Sequence, residues 1–265
     1  MRTIGRSRAA AAGFAVAMAI MIGAAGCGGS GGNVDDESGD PTFAVVGATQ
    51  TVSGAQVSSW ARVDRNGVVQ EVGVTLPLAV ARNPPASHGS GPAGAHAVLA
   101  FPAAARNGTY FNHFELQWEP EGHPPALFSV PHFDLHFYAV SPDEVEAVTA
   151  QDPVAPAPER VPAGYLYTGQ SVPEMGVHAI PLALVNSGQP FTTAMIAGFY
   201  GGSMTFLEPM VTQEFLLQRQ NVVMDVPRPA VLGRATRYPT RFRATYQAST
   251  DSYDLVFSDF VTVTR

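Results

Sequence analysis

The sequence predicts a mainly β protein, an antiparallel sandwich or barrel of about ten strands with two short helices. Many segments alternate apolar and polar residues, which is the period of an extended strand with one buried face. Pairs of these segments flank short turn-forming sequences, as at Asn66-Gly67 and Gly201-Gly202. The 22 prolines and 26 glycines supply the joints between segments, so an all-β fold is favoured over a helical one.

The N-terminal segment has the composition of an export signal. Arg2, Arg6 and Arg8 precede an uncharged apolar run at 9–26, which ends in small residues before Cys27. This pattern resembles a bacterial lipoprotein signal peptide, in which the cysteine is acylated and becomes the first mature residue. A retained transmembrane anchor is the alternative, because a membrane span needs ~20 predominantly apolar residues.

Three segments follow from the lipoprotein interpretation. Residues 1–26 are the signal peptide, 27–41 a flexible acidic tether, and 42–265 a single β-rich domain. The protein is then exported and lipid-anchored to the cell envelope, with the membrane as its partner through Cys27. Loss of the three signal-peptide arginines changes the net charge from −7 to −10, which excludes an electrostatic surface for nucleic acid.

The composition also excludes several kinds of chemistry. Cys27 is the only cysteine, so a lipidated chain has no disulfide, no thiolate metal ligand and no cysteine nucleophile. The sequence contains no lysine, which excludes Schiff-base chemistry and a P-loop lysine. A metal site in this chain must therefore use imidazole and carboxylate ligands.

The alternating segments define the strands one by one. Strands are expected, in chain order, at residues 43–50, 56–64, 68–76, 97–101, 110–118, 132–138, 165–172, 192–200, 203–207, 238–247 and 253–263. Glu208-Pro209-Met210 is expected to end the strand at 203–207, because proline cannot donate a ladder hydrogen bond. A last hairpin is expected to turn at 249–252.

Two short helices are expected between the strands. Ser141 fits the N-cap of the first, Pro142 its first position, and Glu144 the third position of a capping box. This helix should run to about residue 150. The second is expected within residues 212–220.

The strand at 132–138 carries the main functional signal. His132, Asp134 and His136 share one face by the two-residue period, and apolar residues occupy the other face. The strand at 110–118 shows matching alternation, so we expect the two strands to be neighbours. Three residues of metal-binding types on one face indicate a site more strongly than a lone histidine does.

These residues predict a divalent transition-metal site, with zinc favoured. The expected ligands are His132, Asp134, His136, His178 and Glu208. The neighbours expected to orient or tune them are His113, Glu115 and His123. Residues 132 and 136 lie about 13 Å apart on a regular strand, too far to share one ion without a bulge. The other four expected ligands should therefore converge on one point, with His132 as a fifth member or a displaced neighbour.

Three linked segments resemble an uncharacterised family of exported bacterial proteins. They are PHFDxHFY at 131–138, MGxH at 175–178 and FLEPM at 206–210, and the resemblance covers roughly residues 107–260. The resemblance implies a β-rich exported protein and a homo-oligomer. It implies no activity and transfers no catalytic residue.

Two functions are compatible with these observations. The first is a cell-envelope lipoprotein with a His/carboxylate metal site that serves catalysis, sequestration or structure. The second is a non-catalytic envelope module that binds a partner or self-assembles, whose histidines form a structural polar network. The sequence specifies neither a reaction nor a substrate.

Overall fold

The computed structural model describes residues 41–152 and 154–264. The predicted signal peptide, Cys27 and the tether up to residue 40 lie outside the described residues. No helix in the described ranges has the length and apolarity needed to cross a bilayer.

The described residues contain fifteen strands and five short helices, more elements than the sequence predicts. The strands are β1 (Phe43–Val52), β2 (Ala55–Val63), β3 (Val69–Pro77), β4 (Ala97–Ala100), β5 (His113–Glu119), β6 (His132–Tyr138), β7 (Tyr165–Val172), β8 (Gly176–Pro181), β9 (Thr193–Tyr200), β10 (Ser203–Thr212), β11 (Val222–Asp225), β12 (Thr236–Tyr238), β13 (Arg241–Gln247), β14 (Ser252–Ser258) and β15 (Val261–Val263). The helices are α1 (Leu78–Arg82), α2 (Ala103–Gly108), α3 (Pro142–Glu146), α4 (Leu182–Ser187) and α5 (Gln213–Leu217), with single 3₁₀ turns at Pro92–Gly94, Ala126–Phe128 and Pro158–Arg160.

The strands form two large antiparallel sheets, which confirms the mainly β, sandwich-like prediction. One sheet has six strands in the order β1-β2-β3-β14-β13-β11, and the other has seven in the order β4-β5-β6-β10-β9-β8-β7. Strands β12 and β15 make a small third sheet. Within the described residues neither large sheet closes into a barrel. The predicted neighbours β5 and β6 pair directly, from His113–Tyr138 to Glu119–His132.

The main core lies between the two large sheets. Phe137 of β6 is fully buried, and its ring centroid lies 4.8 Å from that of Phe257 on β14 in the opposing sheet. Leu116 of β5 and Leu207 of β10 are buried in the same cluster. Full burial of each such side chain contributes about 1.5–3 kcal/mol, so the apolar face predicted for β6 anchors the seven-stranded sheet.

The second face of the seven-stranded sheet is also covered at its centre. All seven residues of β6 are buried, although alternate side chains are polar. Phe128 of a 3₁₀ turn, Val145 of α3 and Met175 belong to two smaller apolar clusters with residues of this second face. The polar row of β6 therefore lies in a protein interior and not in water.

Several element bounds differ from the predictions. The capping box of Ser141 and Glu144 is present, but α3 ends at Glu146 and not near residue 150. The expected long strand at 238–247 is broken beside Pro239, and the one at 253–263 is broken where Asp259 adopts a φ of 56°.

The expectation that Glu208-Pro209-Met210 ends a strand is wrong. Strand β10 continues through Pro209 to Thr212, in the centre of the sheet. Its pairing with β6 is interrupted between the pairs Leu207–Phe137 and Met210–Asp134. Pro209, which has no backbone N–H to donate, lies in this gap. Pairing with β9 continues at Pro209–Met195. The additional residues of this strand place Glu208 in the middle of the sheet.

Candidate metal centre

Two groups of histidine and carboxylate side chains lie on the covered second face of the seven-stranded sheet. The inner triad consists of His136, His178 and Glu208, and the outer triad consists of His123, His132 and Asp134. Within each triad the three candidate ligand atoms all lie within 4.8 Å of one another. Each triad therefore has the donor types and the spacing needed to hold one metal ion.

The inner triad joins three strands. Nε2 of His136 on β6 lies 3.6 Å from Oε1 of Glu208 on β10. Nε2 of His178 on β8 lies 3.4 Å from Oε2 of the same carboxyl group. His136 is fully buried, while 21% of the His178 side chain is exposed.

Strand register explains why these side chains meet. The pairs Leu207–Phe137 and Met210–Asp134 flank Glu208 and set it opposite His136. His178 lies on β8, which is two strands away from β10 because β9 lies between them.

A glycine and a phenylalanine occupy the space between β8 and β10. His178 pairs with Gly198 of β9, which in turn pairs with Phe206 of β10. The Phe206 ring lies directly over Gly198, where an added Cβ would be 2.0 Å from two ring atoms. Edge contacts join this ring to His136 at 5.0 Å and to His178 at 5.6 Å between ring centroids. Phe206 thus holds both imidazoles in place.

Several buried polar atoms of the inner triad lack a hydrogen-bond partner among the described residues. Both ring nitrogens of His136 and Oε2 of Glu208 have no hydrogen-bond partner in the part of the chain that the structure describes. A buried polar group left in this state costs about 1–3 kcal/mol. A cation between the three side chains would satisfy Nε2 of His136 and Oε2 of Glu208, while Nδ1 of His136 would stay without a partner among the described residues.

Burial sets the protonation of the inner triad. Desolvation lowers the pKa of His136 to about 3 and that of His178 to about 4. Desolvation, together with the nearby charges of Asp134 and Glu119, raises the pKa of Glu208 well above its usual range. At neutral pH both imidazoles are uncharged and offer lone pairs, and a metal ion has to displace only the carboxyl proton.

The outer triad has the opposite electrostatic character. Nε2 of His132 lies 3.1 Å from Oδ1 of Asp134, and Nε2 of His123 lies 3.5 Å from Oδ2. Burial favours a neutral Asp134, but the two histidines outweigh it and hold the pKa of this carboxyl well below its usual range. Burial alone would lower the pKa of His123. The hydrogen bond and the charge of Asp134 outweigh this effect and raise the pKa of His123 to about 9.

A third polar group lies beside the inner triad. Nε2 of His113 is 3.1 Å from Oε1 of Glu115, and its Nδ1 contacts the carbonyl of Val140 at 3.1 Å. The Tyr138 ring stacks between His113 and His136, with centroid distances of 4.9 and 5.6 Å. His113 and Glu115 thus contact one another and adjoin the inner triad through the tyrosine ring, while Oε2 of Glu115 has no hydrogen-bond partner among the described residues.

The structure divides the residues that the sequence predicts as one site. His136, His178 and Glu208 come together as expected. Asp134 does not join them, because it pairs with Met210 and contacts the histidines of the outer triad instead. His132 is displaced along the strand with Asp134.

His123 was expected only to orient the ligands, yet it offers a ligand atom of its own to the outer triad. It lies in the connection between β5 and β6, where no sequence period indicates which way a side chain points. The Gly122-His123-Pro124 segment is typical of a turn, but it does not indicate that the loop folds back over the sheet.

Comparison with known protein families, curated proteins and solved structures finds no match to this chain. The geometry of the two triads is therefore the basis for a functional proposal.

Proposed function

We propose that this protein is an exported, lipid-anchored protein of the cell envelope that binds a divalent transition metal, zinc, at the inner triad. One observation carries the proposal. Two imidazole nitrogens and a carboxylate from three strands converge in the interior, with His136 left without any hydrogen-bond partner among the described residues. The N-terminal lipoprotein pattern supports the location.

The distances in the inner triad support a small ion. Ligand atoms around a tetrahedral ion with bonds of about 2.1 Å lie roughly 3.4 Å apart. The separations of 3.6 Å and 3.4 Å between the imidazole nitrogens and the Glu208 oxygens are close to this value. All three candidate ligand atoms lie within 4.8 Å of one another, so a bound ion requires the widest separation to close toward this value.

The donor set supports zinc. Two histidines and one carboxylate, with a fourth position left for water, are a known ligand combination for this ion. The same donors also suit iron(II), so the identity of the bound element is part of the test. Neutral imidazoles favour binding near pH 7, because no proton has to leave either ring.

The burial of the ligands favours retention of the ion over rapid exchange. His136 and Glu208 are at most 2% exposed at their side chains, so the approach is from the side of His178. An ion in this position would join β6, β8 and β10, which are not all adjacent in the sheet. The bound metal would therefore stabilise the folded state as well.

Elemental analysis of the purified, untagged full-length protein tests the proposal. The protein is expressed in defined medium supplemented with zinc, iron, manganese, cobalt, nickel and copper, and its metal content per chain is measured. We expect zinc in stoichiometric amount, and one equivalent less in His178→Asn. His178 is partly exposed, so this variant should fold.

The matched control is His88→Asn, which changes an exposed histidine outside both triads and should leave the zinc content unchanged. Zinc content in His178→Asn equal to that of the wild type would overturn the inner triad as a site. A wild-type protein free of every supplemented metal would instead support the second function, in which the histidines form a buried polar network.

A further inference from the structure

We propose that the outer triad of His123, His132 and Asp134 binds a second divalent transition metal, as a mononuclear site separate from the inner triad. This site does not rest on the proposed function, because it shares no ligand with the inner triad. Its chemical class is the same, with two imidazole nitrogens and one carboxylate.

The outer imidazoles are oriented in the way that metal-binding histidines usually are. Nδ1 of His132 lies 2.6 Å from the carbonyl oxygen of Val130, and Nδ1 of His123 lies 2.9 Å from that of Pro124. A carbonyl oxygen can only accept, so each Nδ1 carries the hydrogen and donates it. Both Nε2 atoms are thereby directed at Asp134, and a backbone carbonyl fixes each ring as in metal centres.

Buried atoms in the outer triad also lack hydrogen-bond partners. Within residues 41–152 and 154–264, Nε2 of His132 and Oδ1 of Asp134 are both without one, even though they approach to 3.1 Å. His132 is fully buried, and Asp134 is 3% exposed. At this distance the two atoms are in ion-pair contact, and a metal ion held here would join them in place of a proton.

The loop between β5 and β6 brings His123 to this position. Its backbone N–H donates to the carbonyl of Phe128 at 3.3 Å, and its ring packs on the Phe128 ring with a centroid distance of 5.6 Å. Phe128 is itself buried against Phe191. The His123 ring then meets the edge of His132 at 5.0 Å. The side chain of His123 remains 35% exposed, so the outer ion can enter and leave through the loop.

The two triads share no carboxylate that could bridge two ions. The two oxygens of Asp134 are each directed at an imidazole of the outer triad. We therefore expect two ions held separately.

Calorimetric titration of the untagged full-length protein with Zn²⁺, after treatment with EDTA, tests the second site. The wild type should bind two equivalents, His123→Asn one, His178→Asn one, and the double variant none. The exposed-histidine variant His88→Asn should bind two. Melting curves in EDTA check that each variant is folded, and Asp134→Asn serves as a second change in the outer triad.

These results separate this inference from the proposed function. If His123→Asn and Asp134→Asn bind as much zinc as the wild type, the outer site is overturned, whatever the inner triad does. If His178→Asn binds as much zinc as the wild type while His123→Asn binds less, the inner site is overturned and the outer site is supported.

Hydrogen exchange provides a readout that a purely structural role of His123 would not change. Zinc should slow the exchange of backbone amides in residues 121–130 in the wild type and in His178→Asn, but not in His123→Asn. Equal exchange with and without zinc in the wild type would overturn the outer site.

Discussion

His136 and Glu208 lie opposite each other on the adjacent strands β6 and β10, with Nε2 of the imidazole 3.6 Å from Oε1 of the carboxyl group. Both side chains are almost completely buried. At 3.6 Å the two groups are too far apart for a good hydrogen bond, and burial favours the neutral form of each. The pair is therefore costly by itself and becomes favourable when a cation lies between the two groups.

Replacing Glu208 by glutamine should abolish stabilisation by zinc at the inner triad. Glutamine keeps the shape of the side chain but loses the anionic oxygen that a metal needs. In a His123→Asn background, which leaves only the inner triad, zinc at 100 times its Kd should stabilise the fold by about 2.7 kcal/mol, and Glu208→Gln should remove this effect. Thermal unfolding with zinc or with EDTA measures the difference.

The control for this experiment is Glu121→Gln, which changes an exposed carboxylate in the same protein. It should retain the full response to zinc. An equal response in Glu208→Gln would show that Glu208 is not a ligand.

In the metal-free protein, the buried, neutral His136 should contribute a loss of stability as the pH falls below about 6.5, while the raised pKa of Glu208 contributes a dependence of the opposite sign. The pKa of His136 is about 3 in the folded state because of burial, whereas an unfolded histidine has a pKa near 6.5. Between these values the unfolded chain binds the additional proton, so acid favours unfolding, by up to about 1.4 kcal/mol per pH unit for this residue.

Urea unfolding in EDTA at pH 7 and pH 5 measures this dependence. The loss of stability between the two pH values should be smaller in His136→Gln than in the wild type, whatever the absolute stability of the variant. Identical losses in both proteins would contradict the assignment of a neutral, buried His136.

Replacing Gly198 by alanine should disturb the inner triad without changing a ligand. The new Cβ would lie 2.0 Å from the Phe206 ring, which must then move away from His136 and His178. We expect a loss of about 1–3 kcal/mol in unfolding free energy, as is usual for overpacking, and weaker zinc binding in calorimetry.

Gly108→Ala is the matched control, because an added Cβ there meets its nearest described neighbour at an ordinary 3.8 Å. Its effect on stability should be small. Wild-type zinc affinity in Gly198→Ala would indicate that Phe206 does not position the two imidazoles.

The sequence predicts the strand that carries the site better than the strands that complete it. The observed bounds of β6 equal the predicted ones, because its alternation continues without a break from His132 to Tyr138. The sequence does not indicate the end of β10, because Pro209 usually stops strand pairing and is accommodated here by a gap in one ladder.

The division into two triads could not be predicted from the sequence. Alternation places Asp134 and His136 on the same face, but it does not reveal which residue of β10 lies opposite each of them. A shift of two residues in that register would exchange their partners, and long-range packing sets the register. The contribution of His123 depends on how Phe128 anchors a loop, which has no periodic signal.

Replacing Cys27 by serine should abolish lipid attachment. This residue lies outside the described part of the structure, and the prediction rests on the basic and apolar segments before it. Metabolic labelling with a radioactive fatty acid, followed by separation of membrane and soluble fractions, measures the effect. We expect labelled, membrane-bound wild type and unlabelled Cys27→Ser. Persistent labelling of the variant would contradict the lipoprotein interpretation.

A metal ion between His136, His178 and Glu208 should be located by anomalous diffraction from crystals grown with zinc, measured on both sides of the zinc absorption edge. We expect an anomalous peak within about 2.0–2.2 Å of both Nε2 atoms and of one Glu208 oxygen. Ordered side chains at the inner triad without an anomalous peak between them would contradict it.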